Sequence, residues 1–152
     1  MDWYLPLKLV HVLSAILAVG TNVTYFVWLT VMRGRSQAEQ SFALQTIKRL
    51  DARLANPSYI VLPITGVAMV LIGDLGFTTF WIAVAIGLYV LVGVFAGALF
   101  VPALRNLTAI VEGEGPAAAG YAAAARRTAS RGMLTMLPVA GIVYLMVMKP
   151  TP

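Results

Sequence analysis

The stretch HVLSAILAVGTNVTYFVW, from His11 to Trp28, decides the fold class, because it is apolar enough to lie inside a lipid bilayer. It continues an apolar run that starts near Leu5 and ends near Met32. A membrane-spanning helix needs roughly 20 predominantly apolar residues, and this run exceeds that length. Of the 152 residues in the chain, 60% are hydrophobic and 11% are charged. A soluble domain has about 25% charged residues, so the composition predicts an integral membrane protein.

Four apolar runs predict an all-α membrane protein, folded as an up-down bundle of four transmembrane helices in a single domain over 1–152. Short connections between the runs favour antiparallel neighbours. The predicted helices cover about residues 5–32, 57–73, 79–102 and 131–148.

Between the first two runs the sequence predicts a further helix over about 37–55. Ser36 and Glu39 have the spacing of a capping box, in which each side chain binds the other residue's backbone N–H. Apolar residues then recur at helical spacing at Ala43, Ile47, Leu50 and Leu54. We interpret the segment as an amphipathic helix on the cytoplasmic surface, or as a continuation of the bundle. Asn56-Pro57 reads as an N-cap followed by proline at the first helical position.

Basic residues indicate the orientation of the chain in the membrane. Most Lys and Arg residues lie in the stretches 33–53 and 103–131, and the turn at 73–79 has none. Positive loops stay in the cytoplasm, which places both termini on the extracytoplasmic side of a bacterial inner membrane. The net charge of +5 therefore reflects topology, and nucleic-acid binding is not expected.

His11 is the only histidine and heads a polar stripe on the first helix. Residues three, four or seven positions apart share one face of a helix. That face continues through Ser14, Thr21, Asn22 and Tyr25. Facing lipid would leave these groups without hydrogen-bond partners, so the stripe is expected to point into the bundle or toward a bound group.

The role of His11 stays open between several chemistries. A neutral imidazole could ligate haem b or another tetrapyrrole, or relay protons, or only bind a neighbouring hydroxyl or carbonyl. Lys8 lies one turn earlier and could either reach the headgroups or bind an anionic group such as a propionate. No second histidine exists for a bis-histidine haem within one chain.

Other signals are weaker. Gly93 and Gly97 form a small-xxx-small pair, which is interpreted as close packing within the bundle or as a dimer contact. There are no cysteines, which excludes disulfides, thiolate metal sites and cysteine nucleophiles. No metal site is expected. Paired intramembrane carboxylates, a nucleophile elbow and a phosphate loop are also missing, so the sequence favours a non-enzymatic role.

The segment Leu7-Lys8-Leu-Val-His11-Val, followed by Gly20, resembles the start of small bacterial membrane proteins of the CopD and HemJ-type protoporphyrinogen oxidase grouping. It is most similar to a related set of four-helix integral membrane proteins of unknown function. In the HemJ-type members the first-helix histidine is associated with haem, and the resemblance implies that role for His11.

Three functions are therefore expected in turn. The first is an accessory or structural subunit of a larger respiratory or photosynthetic membrane complex, in contact with other subunits or with a second copy. The second is a haem- or pigment-binding redox protein that uses His11. The third is a small transporter or proton-linked protein that uses the stripe from His11 to Asn22.

Overall fold

A computed structural model describes residues 3–151, and within them it is helical with short turns and loops and contains no strands. Two π-helical turns interrupt the α-helices. We call Asp51–Ala55 the first π turn and Ala96–Phe100 the second π turn. The α-helices are α1 (Tyr4–Val31), α2 (Gln37–Leu50), α3 (Asn56–Ile72), α4 (Phe80–Phe95), α5 (Val101–Gly113) and α6 (Tyr121–Met148).

The chain has four helices that are long and apolar enough to cross a membrane, as the sequence predicted. The first π turn joins α2 and α3 into one continuous helix, and the second π turn joins α4 and α5. The four candidate spans are Tyr4–Val31, Gln37–Ile72, Phe80–Gly113 and Tyr121–Met148.

Three of these helices extend further than the apolar runs indicated. The segment predicted as a separate helix over 37–55 is the first part of the helix that contains α3. The third long helix continues to Gly113, and the fourth begins at Tyr121, because alanine-rich sequence favours helix. Polar and charged residues on the added turns concealed this continuity.

The π turns explain why two prolines do not break these long helices. Asn56, expected as an N-cap, has helical dihedral angles of −60° and −48°, and its backbone N–H donates to the Asp51 carbonyl. Pro57 follows at once. In the second π turn the Val101 N–H donates to the Ala96 carbonyl, just before Pro102. The wider turn accommodates a residue without a backbone N–H.

The start of α2 has the capping box that the sequence predicted. The Ser36 backbone N–H donates to Glu39 Oε2 at 2.9 Å, and the Glu39 N–H donates to Ser36 Oγ at 3.4 Å. These reciprocal bonds satisfy two donors that the first turn of a helix leaves free.

The two long helices project beyond the bilayer at one end of the bundle. The helix Gln37–Ile72 has 36 residues, about 54 Å at 1.5 Å per residue, against roughly 30 Å of hydrocarbon. We call the projecting part the basic end; α2, α5 and the adjoining turns of α1 and α6 form it. Its buried apolar residues make one cluster: Tyr25, Leu29, Met32, Ala43, Leu44, Ile47, Leu104, Leu107, Val111 and Ala124.

The spanning helices pack in an order that differs from their order in sequence. α1 packs against α3 and α6, and α6 packs against α4. The backbones of α3 and α4 do not meet anywhere in residues 3–151, although one turn connects them. At the basic end α2 contacts α5 and closes the bundle. The gap between α3 and α4 therefore lies in the membrane, with the candidate site beside it.

Candidate functional site

A cavity of about 100 Å³ lies between the spanning helices, at the level of the two π turns. Each of the four long helices contributes to its walls. Most of the wall is apolar, and the polar side chains come from α1, α3, α6 and the first π turn. Those polar residues are Asn22, Tyr25, Asp51, Asn56, Tyr59 and Thr135.

Asp51 is the acidic group of this cavity, and two side chains hold its carboxylate. The Tyr25 hydroxyl donates to Asp51 Oδ1 at 3.0 Å, and Asn56 Nδ2 donates to Asp51 Oδ2 at 3.3 Å. Tyr25 is buried, with 4% of its surface exposed. Hydrogen bonds of this kind stabilise the ionised carboxylate and fix its position.

The first π turn places this carboxylate and its amide partner on one face. In an α-helix, residues five positions apart point in different directions. In a π turn the bonding register is five residues, so Asp51 and Asn56 lie one above the other. The Asn56 backbone N–H and the Asn56 side chain both bond to Asp51 as a result. A helix with regular α geometry here would separate the pair.

A second polar pair lies next to this one, where α3 and α4 are apart. Asn22 Nδ2 donates to the Tyr59 hydroxyl, and the Tyr89 hydroxyl donates to the Tyr59 carbonyl. That carbonyl is the one that Pro63 leaves without its usual helical N–H donor. Tyr89 thus satisfies a backbone acceptor inside the membrane and connects α4 with α3 across the gap.

The Asp51 carboxylate has no basic partner in the part of the chain that the structure describes. Within residues 3–151 the only ion pair closer than 4.0 Å joins Arg35 and Glu39, at 3.9 Å on the protein surface. Arg131, whose neighbour Gly132 lines the cavity, donates to the Leu99 carbonyl at 3.3 Å. Asp51 therefore presents a carboxylate without a paired cation to a mostly apolar cavity.

His11 does not line this cavity and belongs to a separate contact between α1 and α3. Its Nδ1 lies 3.1 Å from the Leu62 carbonyl and 2.9 Å from Thr65 Oγ1. A carbonyl oxygen only accepts, so Nδ1 carries the proton and Nε2 keeps its lone pair in the neutral ring. The ring packs on Gly66, where an added Cβ would lie 3.3 Å from His11 Cε1.

The structure separates the other residues of the predicted stripe into different environments. Ser14 and Thr21 are buried within the bundle, and Asn22 is half-buried at the cavity. Lys8 is exposed one turn before His11. Asn22 and Tyr25 thus share a site that does not include His11.

Gly93 and Gly97 lie on the outer surface of the bundle. Both are exposed, and a Cβ added at either would meet nothing within 4 Å. They do not pack against another helix of this chain, so close packing within the bundle is wrong for this pair. Lipid covers less area here than at a leucine, because glycine leaves the backbone surface open. A contact with a second copy or another subunit stays a prediction.

Metal ligands do not cluster in residues 3–151: no group of three or more His, Cys, Asp and Glu side chains could hold a metal ion there. The cavity offers one carboxylate with neutral hydroxyl and amide groups. This chemistry suits a proton or an organic cation better than a transition metal.

Sequence reasoning missed Asp51, Asn56 and Tyr59. Asp51 lies among Lys and Arg residues and reads as one charge of a solvated face. A usable signal was present, because Ile47 and Ala55 lie four positions on either side of Asp51 and both are buried. Reading the helix as continuous through Pro57 would have placed Asp51 on that buried face.

Comparison with known proteins supports the architecture. The search of curated proteins and the search of solved structures find no match. Residues 5–150 match the family described as predicted integral membrane protein (DUF2269), which agrees with the four spanning helices. Because this match covers almost the whole chain, the protein belongs to the DUF2269 family of integral membrane proteins.

Proposed function

We propose that the chain is a small proton-linked membrane protein in which the Asp51 carboxylate takes up and releases a proton at the cavity. One observation carries the proposal: Asp51 lines the cavity, Tyr25 and Asn56 hold it, and it lacks a basic partner within 4.0 Å in the described residues. An ionisable side chain within a membrane bundle is by default a functional group.

Both protonation states of Asp51 have hydrogen-bond partners in this geometry. The ionised carboxylate accepts from the Tyr25 hydroxyl and from the Asn56 amide. The protonated acid can donate to the Tyr25 oxygen, because a phenol both donates and accepts. A proton can therefore join or leave Asp51 without leaving either partner unsatisfied, which is what reversible exchange requires.

The proposal keeps the proton-linked function expected from the sequence but assigns it to a different residue. His11 was the expected proton carrier, and its Nδ1–H faces the Leu62 carbonyl on α3. Asp51 and Asn22 instead share the cavity at the level of the π turns.

Infrared difference spectroscopy of the protein in lipid nanodiscs tests whether Asp51 exchanges a proton. Acidification of the wild-type protein should produce a carbonyl band of a protonated carboxylic acid. Asp51→Asn should remove that band, because the amide has no such group.

The matched control is Asp74→Asn. Asp74 is an exposed acid in the turn between α3 and α4, with a left-handed φ of 49° that asparagine also adopts readily. The control should keep the cavity band. A difference spectrum that is identical in wild type and Asp51→Asn would rule out proton exchange at Asp51.

A second candidate is a tetrapyrrole bound through His11, as the resemblance to the HemJ-type proteins implied. Its support is the bond from Nδ1 to the Leu62 carbonyl, which leaves Nε2 as a free ligand atom. Metal-ligating histidines commonly donate their other N–H to a carbonyl or carboxylate in this way. Lys8, exposed one turn away, could bind a propionate.

An absorption spectrum of protein purified gently from its native membrane tests this candidate. A Soret or chlorophyll band in the wild type should be lost in His11→Ala while the helical circular dichroism is kept. A featureless spectrum from folded wild-type protein would leave His11 as a hydrogen-bonding residue of the α1–α3 contact.

A role as an accessory or structural subunit is the third candidate. The exposed pair Gly93 and Gly97 supports it, because small residues let a helix of another chain approach closely. We further propose a bacterial inner membrane location with the basic end in the cytoplasm, on the positive-inside rule. Co-migration with other membrane proteins on a native gel, lost in Gly93→Leu, would support the subunit role; a lone band for gently extracted protein would count against it.

A further inference from the structure

The walls of the Asp51 cavity contain an unusual share of aromatic side chains. Four of them line it: Tyr25, Phe26, Tyr59 and Phe100. The rings of Tyr25 and Phe100 are stacked, with centroids 6.2 Å apart and planes 4° from parallel. These residues come from α1, α3 and the second π turn, so the rings approach the cavity from different sides.

Aromatic faces and a carboxylate together favour one ligand class. Ring faces carry negative electrostatic potential and attract cations, and the attraction is strongest where water is excluded. Methylated ammonium groups suit such a site best, because their weakly hydrated methyl surface contacts the rings while the charge pairs with an acid. Simple metal cations would instead need more oxygen ligands than Asp51 and its neutral neighbours offer.

Charges near the cavity agree with a cation. The groups facing Asp51 from the elements around it are the neutral phenols of Tyr25 and Tyr59. On α6, Arg131 donates to the Leu99 carbonyl and is not within 4.0 Å of the Asp51 carboxylate. Arg53, next to Asp51 in the first π turn, is exposed. The carboxylate is thus left for a ligand or a proton.

The size of the cavity limits the cation. A cavity of roughly 150 Å³ holds benzene, and this one measures about 100 Å³. A single nitrogen with its methyl groups fits that space, whereas an aromatic or polycyclic cation does not. Gly132 lines the wall where a Cβ would lie 3.1 Å from the Phe100 ring, so the space depends on a glycine there.

We propose that the cavity binds a methylated ammonium group, with Asp51 as its counter-charge and the rings of Tyr25, Phe26, Tyr59 and Phe100 around its methyls. The inference rests on the proposed function, since the cation and the proton neutralise the same carboxylate. The same chemistry occurs in free methylated amines and in the headgroup of choline lipids. The gap between α3 and α4 gives a lipid a route to the cavity from the side.

Isothermal titration of the protein in a maltoside detergent with tetramethylammonium chloride tests this proposal. Tetramethylammonium should bind at least about tenfold more tightly than ammonium, which has the charge alone, or tert-butanol, which has the shape alone. Asp51→Asn should weaken binding about tenfold or more, and Phe100→Leu about threefold to tenfold.

The matched control for the ring is Trp81→Leu. Trp81 lies on α4 away from the cavity and carries the Lys149 ammonium 5.4 Å from its ring centroid. This variant should bind tetramethylammonium like the wild type. Helical circular dichroism of each variant separates a lost site from a lost fold. Equal affinity for the three probes, or binding that Asp51→Asn does not change, would overturn the proposal.

Two additional arms separate the sources and the two proposals. Competition by a short-chain phosphatidylcholine, but not by the matching phosphatidylglycerol, would identify a lipid headgroup as the natural ligand; no competition would identify a free amine. If the Asp51 infrared band is present and tetramethylammonium does not bind, this inference alone fails. If tetramethylammonium binds and the band is missing, the cation site stands and the proton-linked function fails.

Discussion

Proton flux into liposomes that contain the purified protein is expected to fall roughly 100-fold when Asp51 is replaced by asparagine, the lower end of what a positioned proton-transfer group contributes. Asparagine keeps the size of the side chain and can still bond to Tyr25 and Asn56. It cannot take up a proton at neutral or mildly acidic pH. The change therefore removes the chemistry of the site while preserving its shape.

A pH-sensitive dye trapped inside the liposomes measures this flux after an external acid jump. Asp74→Asn, which changes an exposed acid in the turn between α3 and α4, should behave like the wild type. Tyr25→Phe should give an intermediate flux, because it keeps the buried ring and removes only the hydroxyl bound to Asp51. Undiminished flux through Asp51→Asn liposomes would contradict the proposed role of Asp51.

Leu107→Ala is expected to destabilise the folded protein by about 2–5 kcal/mol, the usual cost of emptying a leucine site in a packed core. Leu107 lies on α5 and is fully buried within the apolar cluster of the basic end. This end projects beyond the hydrocarbon, so the hydrophobic effect acts there as in a soluble protein. The cavity left by the missing side chain adds to the loss.

Denaturant titration in detergent micelles, followed by helical circular dichroism, measures this loss as a lower transition midpoint. The matched control is Leu137→Ala on α6, where the leucine is 67% exposed on the outer surface of the bundle. That change should stay within about 0.5 kcal/mol, as for other surface positions. Equal destabilisation by both variants would show that the basic end is not the more tightly packed part.

The sequence was enough to predict four spanning helices, because long apolar runs have few alternatives to a helix in lipid. The capping box at Ser36 was equally readable, since it depends on residues three positions apart. Helix bounds were not, because Pro57 and Pro102 look like starts of new helices. Only the π turns before them, which have no sequence signature of their own, keep the long helices continuous.

The candidate site was only partly predictable, for a related reason. Asn22 and Tyr25 stood out because polar groups on an apolar helix must find partners. Their actual partners, Tyr59 and Asp51, lie on another helix, and pairing between helices cannot be read from spacing within one helix. His11 attracted attention as a lone histidine, yet its ring bonds to α3 at a different place from the cavity.

The division of each long helix by a π turn also has a calorimetric consequence. Unfolding raises the heat capacity in proportion to the apolar surface that becomes exposed to water. Helix surface that faces lipid before and after loss of tertiary structure contributes little to this change. The heat-capacity increment of this protein should therefore come mainly from the basic end, around α2 and α5, and be small for a chain of 152 residues.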